Sequence, residues 1–560
     1  MRLALLACAG LVIQIGWVMI WTLSYRLTHG NDFTYQYLVS QQTVWGTLRD
    51  LLLLANTLAP GLEGPEGPIN IDIVVYALVL AFVVAGVGYL AALTLLDSGV
   101  AAVPGAAALV VGWGLVYQVT LFTLPGLFTT DIFSYIMYGK ISAVYDLNPY
   151  IFPPNYFPND ELLAWIHPIW HDAPSVYGPL WTVLAWVFAR LIAPLSLLEQ
   201  VFAYKLLVNA IHLVNLGLVW WLLGRAMRGQ PRARLTAFTL FAWSPLMLFD
   251  GPGNAHNDAL MVTLLLLGLA PLTGAVGRPS HRGWLVGTWC VAMSALIKYT
   301  TGLVGLFFLV PWLRQLPSWP RRLAWLAGCA VLVLATTLVL FLPWLDFPRA
   351  LEPILTAANG KPWQYSNSGP DILALQIDNK LLHEPSANIE AEDHFYLYGD
   401  LYSTSTSSET RARTKIVTRV LFALYLVWEC WGLWRLAGTR SAEIFSAVLR
   451  SSVRAFVVLI LLVLPWVLDW YWMWPLALTT LLGWRSSLTR VVVAYTLTCL
   501  PVFYLHHYWS WHMPSSLVFL YVLPPLALPA IEWAYRRVAS YRRPRVQVGS
   551  VLPAPGLSAE

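Results

Sequence analysis

The chain has 560 residues, of which 58% are hydrophobic and 11% charged, with a mean hydropathy of +0.62; this apolar content excludes an ordinary soluble globular protein. The net charge of +5 is divided among short basic clusters separated by apolar runs, which argues against a nucleic-acid surface. The reading is an all-α polytopic membrane protein, since a bilayer is crossed by helices or closed barrels and these runs have helical length.

The first apolar run, residues 3–25, is too long for the core of a cleaved signal peptide and is expected to be an uncleaved signal anchor. Uncharged runs at 74–96 and 99–130 also reach the roughly 20 residues a spanning helix needs. Basic clusters mark the cytoplasmic side by the positive-inside rule: Arg225 to Arg234, Arg278 and Arg282, Arg314 to Arg322, Arg435 to Arg454, Arg485 and Arg490, and Arg536 to Arg545. Acid-rich segments at 26–73, 125–175 and 345–414 then face outside. This arrangement holds if 176–198 is a short or re-entrant helix and 283–313 forms two short helices returning around Lys298. About 13–15 helical segments result. The organisation is amino-terminal spans (1–98), a core with the first outer loop at 125–175 (99–345), a second outer loop (346–414), carboxy-terminal spans (415–541) and a disordered cytoplasmic tail (542–560). Cys8, Cys290, Cys329, Cys430 and Cys499 lie in or beside apolar runs without CxxC spacing, so neither disulfides nor structural zinc are expected.

Four polar constellations interrupt this pattern. Asp131 stands just past the run 99–130, in TTDIFSYIMYGKISAVYDLNPY. It caps the amphipathic helix that follows, or it is a base at the water–lipid boundary, where partial burial raises a carboxylate pKa. Asp146, in the same loop, reads as solvated. In WSPLMLFDGPGNAHNDALMV (243–262), a Gly-Pro-Gly break precedes His256, Asn257 and Asp258 in the first turns of a new helix, whose amino terminus would favour an anion; Asn254 as a simple cap is the alternative. As metal ligands, His256 and Asp258 alone make a weak case. Lys298, in IKYTTG, either snorkels or pairs with an anion such as phosphate. The second outer loop carries Lys361, Trp363, Gln364, Tyr365 and Asn367, residue types that stack on and hydrogen-bond to sugars and that also anchor loops at membrane interfaces.

DIFSYIMYGKISAVYDLNPY, SVYGPLW (175–181), GPGNAHNDALMV and ALIKYTTGL, with an echo at LDWYWMWPLAL (468–478), occur in an order that resembles the bacterial polyprenol-phosphate-mannose-dependent alpha-1,6-mannosyltransferases of the GT-C glycosyltransferase superfamily. The resemblance covers roughly residues 100–310. It implies a GT-C fold varied by two extra amino-terminal spans, a multi-pass protein of the bacterial cytoplasmic membrane with both termini cytoplasmic, and an active site on the outer face. The implied reaction moves a sugar, mannose by resemblance, from a polyprenyl-phosphate donor to a glycan or glycolipid acceptor with inversion. Asp131 corresponds to the expected general base. The leaving phosphate would be met by Lys298, His256, Asn257 and Asp258 and by Arg411 or Arg413; Tyr135, Lys140, Asn148, Tyr177, Trp363, Gln364, Tyr365 and Asn367 are the expected substrate contacts. The neighbour of Asp131 is Thr130, not a second acid, so no cofactor is expected and the reaction is expected to be metal-independent. A flippase or transporter of lipid-linked sugars is the rival reading; such proteins gather polar groups at the bilayer midplane, whereas here they gather at span ends.

Overall fold

The computed structural model describes residues 1–27, 71–124, 127–167, 170–273, 280–344, 408–436, 441–464 and 467–508, with short pieces at 349, 369–370, 373, 377, 522–530 and 532–533. Among the described residues every regular element is helical. In chain order these are α1 (Arg2–Leu27), α2 (Ile71–Asp97), α3 (Ala106–Phe122), α4 (Asp131–Ala143), α5 (Pro179–Ile192), α6 (Leu197–Ala226), α7 (Pro231–Ala242), α8 (Pro245–Leu248), α9 (Asp258–Leu269), α10 (His281–Ala295), α11 (Gly302–Gln315), α12 (Trp319–Phe341), α13 (Ser408–Arg435), α14 (Ser441–Leu462), α15 (Met473–Thr480) and α16 (Ser487–Tyr508).

Seven described helices are long and apolar enough to cross a membrane, and the bent pair α8–α9 makes up to eight; α3 and α5 are shorter apolar helices. The protein is thus an all-α polytopic membrane protein. Between residue 176 and the start of α6 at Leu197 the only helix is the 14-residue α5, begun by Pro179 at its first turn, a position where proline's missing N–H is no loss. Residues 283–313 fall into α10 and α11, with Lys298 in the joint between them.

α1 runs along α2 and touches α3, α2 also meets α16, and α9 lies against α6, α10 and α15. Buried aromatic donors tie neighbouring helices together. Tyr89 Oη donates to Leu240 O (2.7 Å), Tyr117 Oη to Gly10 O (2.9 Å) and Trp243 Nε1 to Val110 O (2.7 Å). Each bond satisfies a buried polar group whose loss would cost roughly 1–3 kcal/mol.

The break between α8 and α9 bends the chain by 118°. Polar side chains of α6 receive the backbone groups this exposes: Asn209 Nδ2 donates to Pro252 O (3.1 Å) and Asn215 Nδ2 to Ala259 O (2.8 Å). Irregular backbone at membrane depth survives only when protein supplies its partners.

Candidate active site

The site is assembled where three chain breaks meet: the start of α4, the α8–α9 break and the α10–α11 joint. Two glycines bring them close. A side chain at Gly178 would collide with Leu296 O, because Gly178 N donates to Ile297 O (3.0 Å) and Leu180 N to Leu296 O (3.0 Å). A side chain at Gly139 would meet Ala185 O at 2.5 Å, so α4 lies directly on α5. Ser294 Oγ then anchors the joint by donating to Met261 O of α9 (2.9 Å).

Asp131 opens α4 but does not cap it through its own side chain; Thr130 is the N-cap, and the Asp131 amide donates to Thr129 Oγ1 (3.3 Å). The Asp131 carboxylate turns inward. Its Oδ2 lies 3.5 Å from His256 Nδ1 and accepts from Tyr135 Oη (3.4 Å), which in turn accepts from the Asn257 amide (3.4 Å). Burial pushes the Asp131 carboxyl up, but the His256 ring, the Lys298 charge and the Tyr135 hydroxyl outweigh it and hold the group below its usual range. The expectation of a raised pKa is therefore reversed: the carboxylate is ionised at neutral pH.

Asp258, at the start of α9, accepts from Trp474 Nε1 (2.6 Å) on Oδ1 and from Lys298 Nζ (2.5 Å) on Oδ2. The lysine pairs with an anion, as one of its two readings had it, and that anion belongs to the protein. His256 stacks on Trp470 at 4.2 Å, and Tyr471 stacks on Trp474 at 4.8 Å. His256, Asn257 and Asp258 are fully buried. Asp131 and Lys298 keep 17% and 16% of their side chains accessible, so a ligand arriving at this cluster meets a carboxylate and an ammonium first.

Of the other expected residues, Tyr135 belongs to the cluster and the remaining described ones lie around it or elsewhere. Tyr135 is buried under the cluster with Tyr177 packed edge-on at 5.1 Å. Lys140, about 13 Å along α4 from Asp131, pairs with Asp160 (2.7 Å). Asn148 shapes its own turn, accepting from the Tyr150 amide (2.9 Å) and donating to Trp344 O (3.2 Å). Asp146 is exposed with φ 52. Asn254 does not cap α9; it donates to Asp250 Oδ1 (3.1 Å) and accepts from the Phe128 amide. Arg413 is exposed on α13. The side chain of Arg411, and Lys361, Trp363, Gln364, Tyr365 and Asn367, lie outside the described residues. Sequence reasoning missed Trp470 and Trp474, whose aromatic one-turn spacing in LDWYWMWPLAL was the available signal, and the buried Asp250 and Asp469. Among the described residues no group of three or more His, Cys, Asp or Glu is placed to hold a metal ion.

Residues 44–314, which hold Asp131, His256, Asp258 and Lys298, match the family model of the alpha-(1→6)-mannopyranosyltransferase N-terminal domain. Through this segment the chain is similar to bacterial alpha-1,6-mannosyltransferases. It is 26% identical to alpha-(1→6)-mannopyranosyltransferase A of Mycobacterium tuberculosis over 364 residues, 64% of this chain and 62% of the relative. It is 29% identical to a probable alpha-(1→6)-mannopyranosyltransferase of Mycolicibacterium smegmatis over 33% of this chain and 36% of that one, and 27% identical to alpha-(1→6)-mannopyranosyltransferase B of Corynebacterium glutamicum over 33% and 30%. The matches therefore span between about a third and 62% of these relatives' lengths.

Proposed function

We propose that the protein is a membrane mannosyltransferase that moves mannose from a polyprenyl-phosphate donor to a hydroxyl of a glycan or glycolipid acceptor, with inversion, on the outer face of the membrane. The observation that carries this reading is that Asp131 and Lys298 are the partly accessible charges above a buried polar floor, inside the segment that matches the alpha-(1→6)-mannopyranosyltransferase family model.

Asp131 takes the proton of the acceptor hydroxyl; that oxygen forms the new bond to the anomeric carbon as the bond to the phosphate oxygen breaks, its electron pair leaving with the phosphate. Because its neighbours hold it ionised, Asp131 is always ready to accept a proton, and as a weak base it does so late, once the hydroxyl has begun to bond. Lys298 spends one donor on Asp258, and an ammonium carries three, so two remain to meet the charge developing on the leaving phosphate. The Asn257 amide, through Tyr135, and the His256 ring keep the Asp131 carboxylate oriented.

The test is mannosyl transfer by the purified protein from polyprenyl-phosphate mannose to a short mannoside, in EDTA, with the product linkage read by NMR. Alpha-1,6 product from the wild type and none from Asp131→Asn is the expected result. Donor lipid crossing vesicles with no new glycosidic bond would overturn it in favour of a transporter.

A further inference from the structure

At the opposite end of the chain's charge pattern, α14 presents arginine inside an apolar helix. The spanning segment Glu443–Leu462 carries Arg450 and Arg454, about 10 and 16 Å along the helix from Glu443. An ionised side chain within a membrane span is costly and is retained where it has a partner.

Arg454 has one within the protein. Its Nε and Nη2 donate to Glu429 Oε1 and Oε2 of α13, both at 2.7 Å, and Tyr425 Oη and Ser451 Oγ donate to the same carboxylate at 2.7 Å each. Four donors fill the acceptor capacity of Glu429, so this carboxylate has nothing left for a second arginine. Arg450 is exposed, and among the described residues no carboxylate pairs with it. Arg450 borders a cleft of about 390 Å³ between α13 and α14, whose charged lining is Arg435, Arg450 and Arg454 against Glu429 alone. It also borders a second cleft of about 270 Å³, shared with Arg225. The first cleft opens beside Trp428 and Trp431, both exposed on α13. The same end of α13 places Trp434 against two more guanidinium groups, those of Arg314 and Arg322.

We propose that the cleft between α13 and α14 binds an anionic membrane phospholipid, its phosphate held by Arg450 and Arg435 and its acyl chains lying along Trp428 and Trp431. The charge selects the headgroup, because three guanidinium groups face one saturated carboxylate. The indoles select a lipid over a soluble phosphate, because they present apolar area to the hydrocarbon at the cleft mouth. Basic pockets between membrane helices on the positively charged side are a recurrent seat for such headgroups. The site is separate from the Asp131 cluster and does not rest on the transferase reading.

The experiment is a titration of the detergent-purified full chain with phosphatidylglycerol, read by retained lipid in native mass spectrometry and by unfolding temperature. Phosphatidylcholine, glycerol phosphate and polyprenyl phosphate are run as separate arms. Wild type should retain phosphatidylglycerol and gain thermal stability, with little response to phosphatidylcholine or glycerol phosphate. Arg435→Gln/Arg450→Gln should weaken binding roughly 30-fold at about a factor of five per charge, while Arg228→Gln, an exposed arginine outside the cleft, should not. Should the double variant unfold early without lipid, Arg450→Lys serves instead, keeping the charge while losing the guanidinium fork, with an intermediate loss expected. Unchanged binding in a folded variant, an equal response to phosphatidylcholine, or displacement of phosphatidylglycerol by stoichiometric polyprenyl phosphate would each overturn the assignment.

Discussion

Asp131 is held by contacts that differ in kind, and substitutions separate them. Asp131→Asn keeps the shape and removes the base, so turnover should fall by about 100-fold or more with little change in donor KM; an unaltered kcat in folded protein would end the base assignment. Since its neighbours hold the folded carboxyl below the unfolded value of about 3.9, and a base works only when ionised, activity should be lost only as pH drops through that lowered value. The acid limb of kcat/KM that Asp131 contributes therefore belongs below about pH 4. Replacing His256 with Gln removes the ring beside Oδ2 and its stack on Trp470, which should move that limb upward toward ordinary carboxylate behaviour. A rise in donor KM with the limb unmoved would show instead that His256 serves the phosphate.

The short elements around the site carry its strain and its loop closure. Ala255, buried in the α8–α9 break between Asn254 and His256, has φ 59, a left-handed conformation that costs an L-residue roughly 1–2 kcal/mol. It is held there by its own amide, donating to Gly251 O (2.8 Å), and by the His256 amide, donating to Asp250 O (3.0 Å). Ala255→Gly should be tolerated with full activity, whereas Ala255→Val, β-branched in that conformation, should lower the unfolding temperature and turnover together. In the loop that follows α4, Asp160 accepts from Lys140 (2.7 Å), from Tyr145 Oη (2.6 Å) and from the Leu162 amide (3.0 Å). Burial raises the Asp160 carboxyl, and these donors together pull it below its usual range; burial and the Asp160 charge push the Tyr145 hydroxyl up to about 12. A lowered acid stabilises above its unfolded pKa and a raised phenol below its own, so the clasp is fully formed between about pH 4 and pH 10 and weakens outside that window. Protection factors of the amides in residues 144–165, taken relative to intrinsic exchange at each pH, should fall at pH 3 compared with pH 7, and Lys140→Met should produce a similar fall at pH 7; equal protection in all three would show that the clasp does not hold the loop.

On the scale of the whole molecule, what the sequence revealed depended on whether an interaction is local. The helical membrane character, the shortness of α5 and the paired halves α10 and α11 follow from run length, proline and charge, which act within a few turns. The meeting of Asp131, His256, Asp258 and Lys298 was suggested because each polar group interrupts an apolar run, and such interruptions in lipid have to converge. Lys140 was misleading because its partner, Asp160, sits in irregular loop with no periodicity to place it. The aromatic half of the site was harder still: Trp474 bonds Asp258 across 216 residues, and nothing within a helical turn of either residue announces the other. That distance has a consequence, since the family match ends at residue 314 while the floor of the site includes α15. Trp474→Phe keeps the ring packed on Tyr471 but leaves Asp258 Oδ1 buried without its donor, at a cost of roughly 1–3 kcal/mol. Asp258 would then lean on Lys298 alone and draw the ammonium deeper, away from an incoming phosphate, so donor KM should rise and kcat fall while the acid limb set by Asp131 stays in place. If Trp474→Phe is kinetically silent, the carboxy-terminal helices are scaffold only; if it acts as expected, a chain truncated after residue 345 should bind donor poorly even when the matched segment is intact.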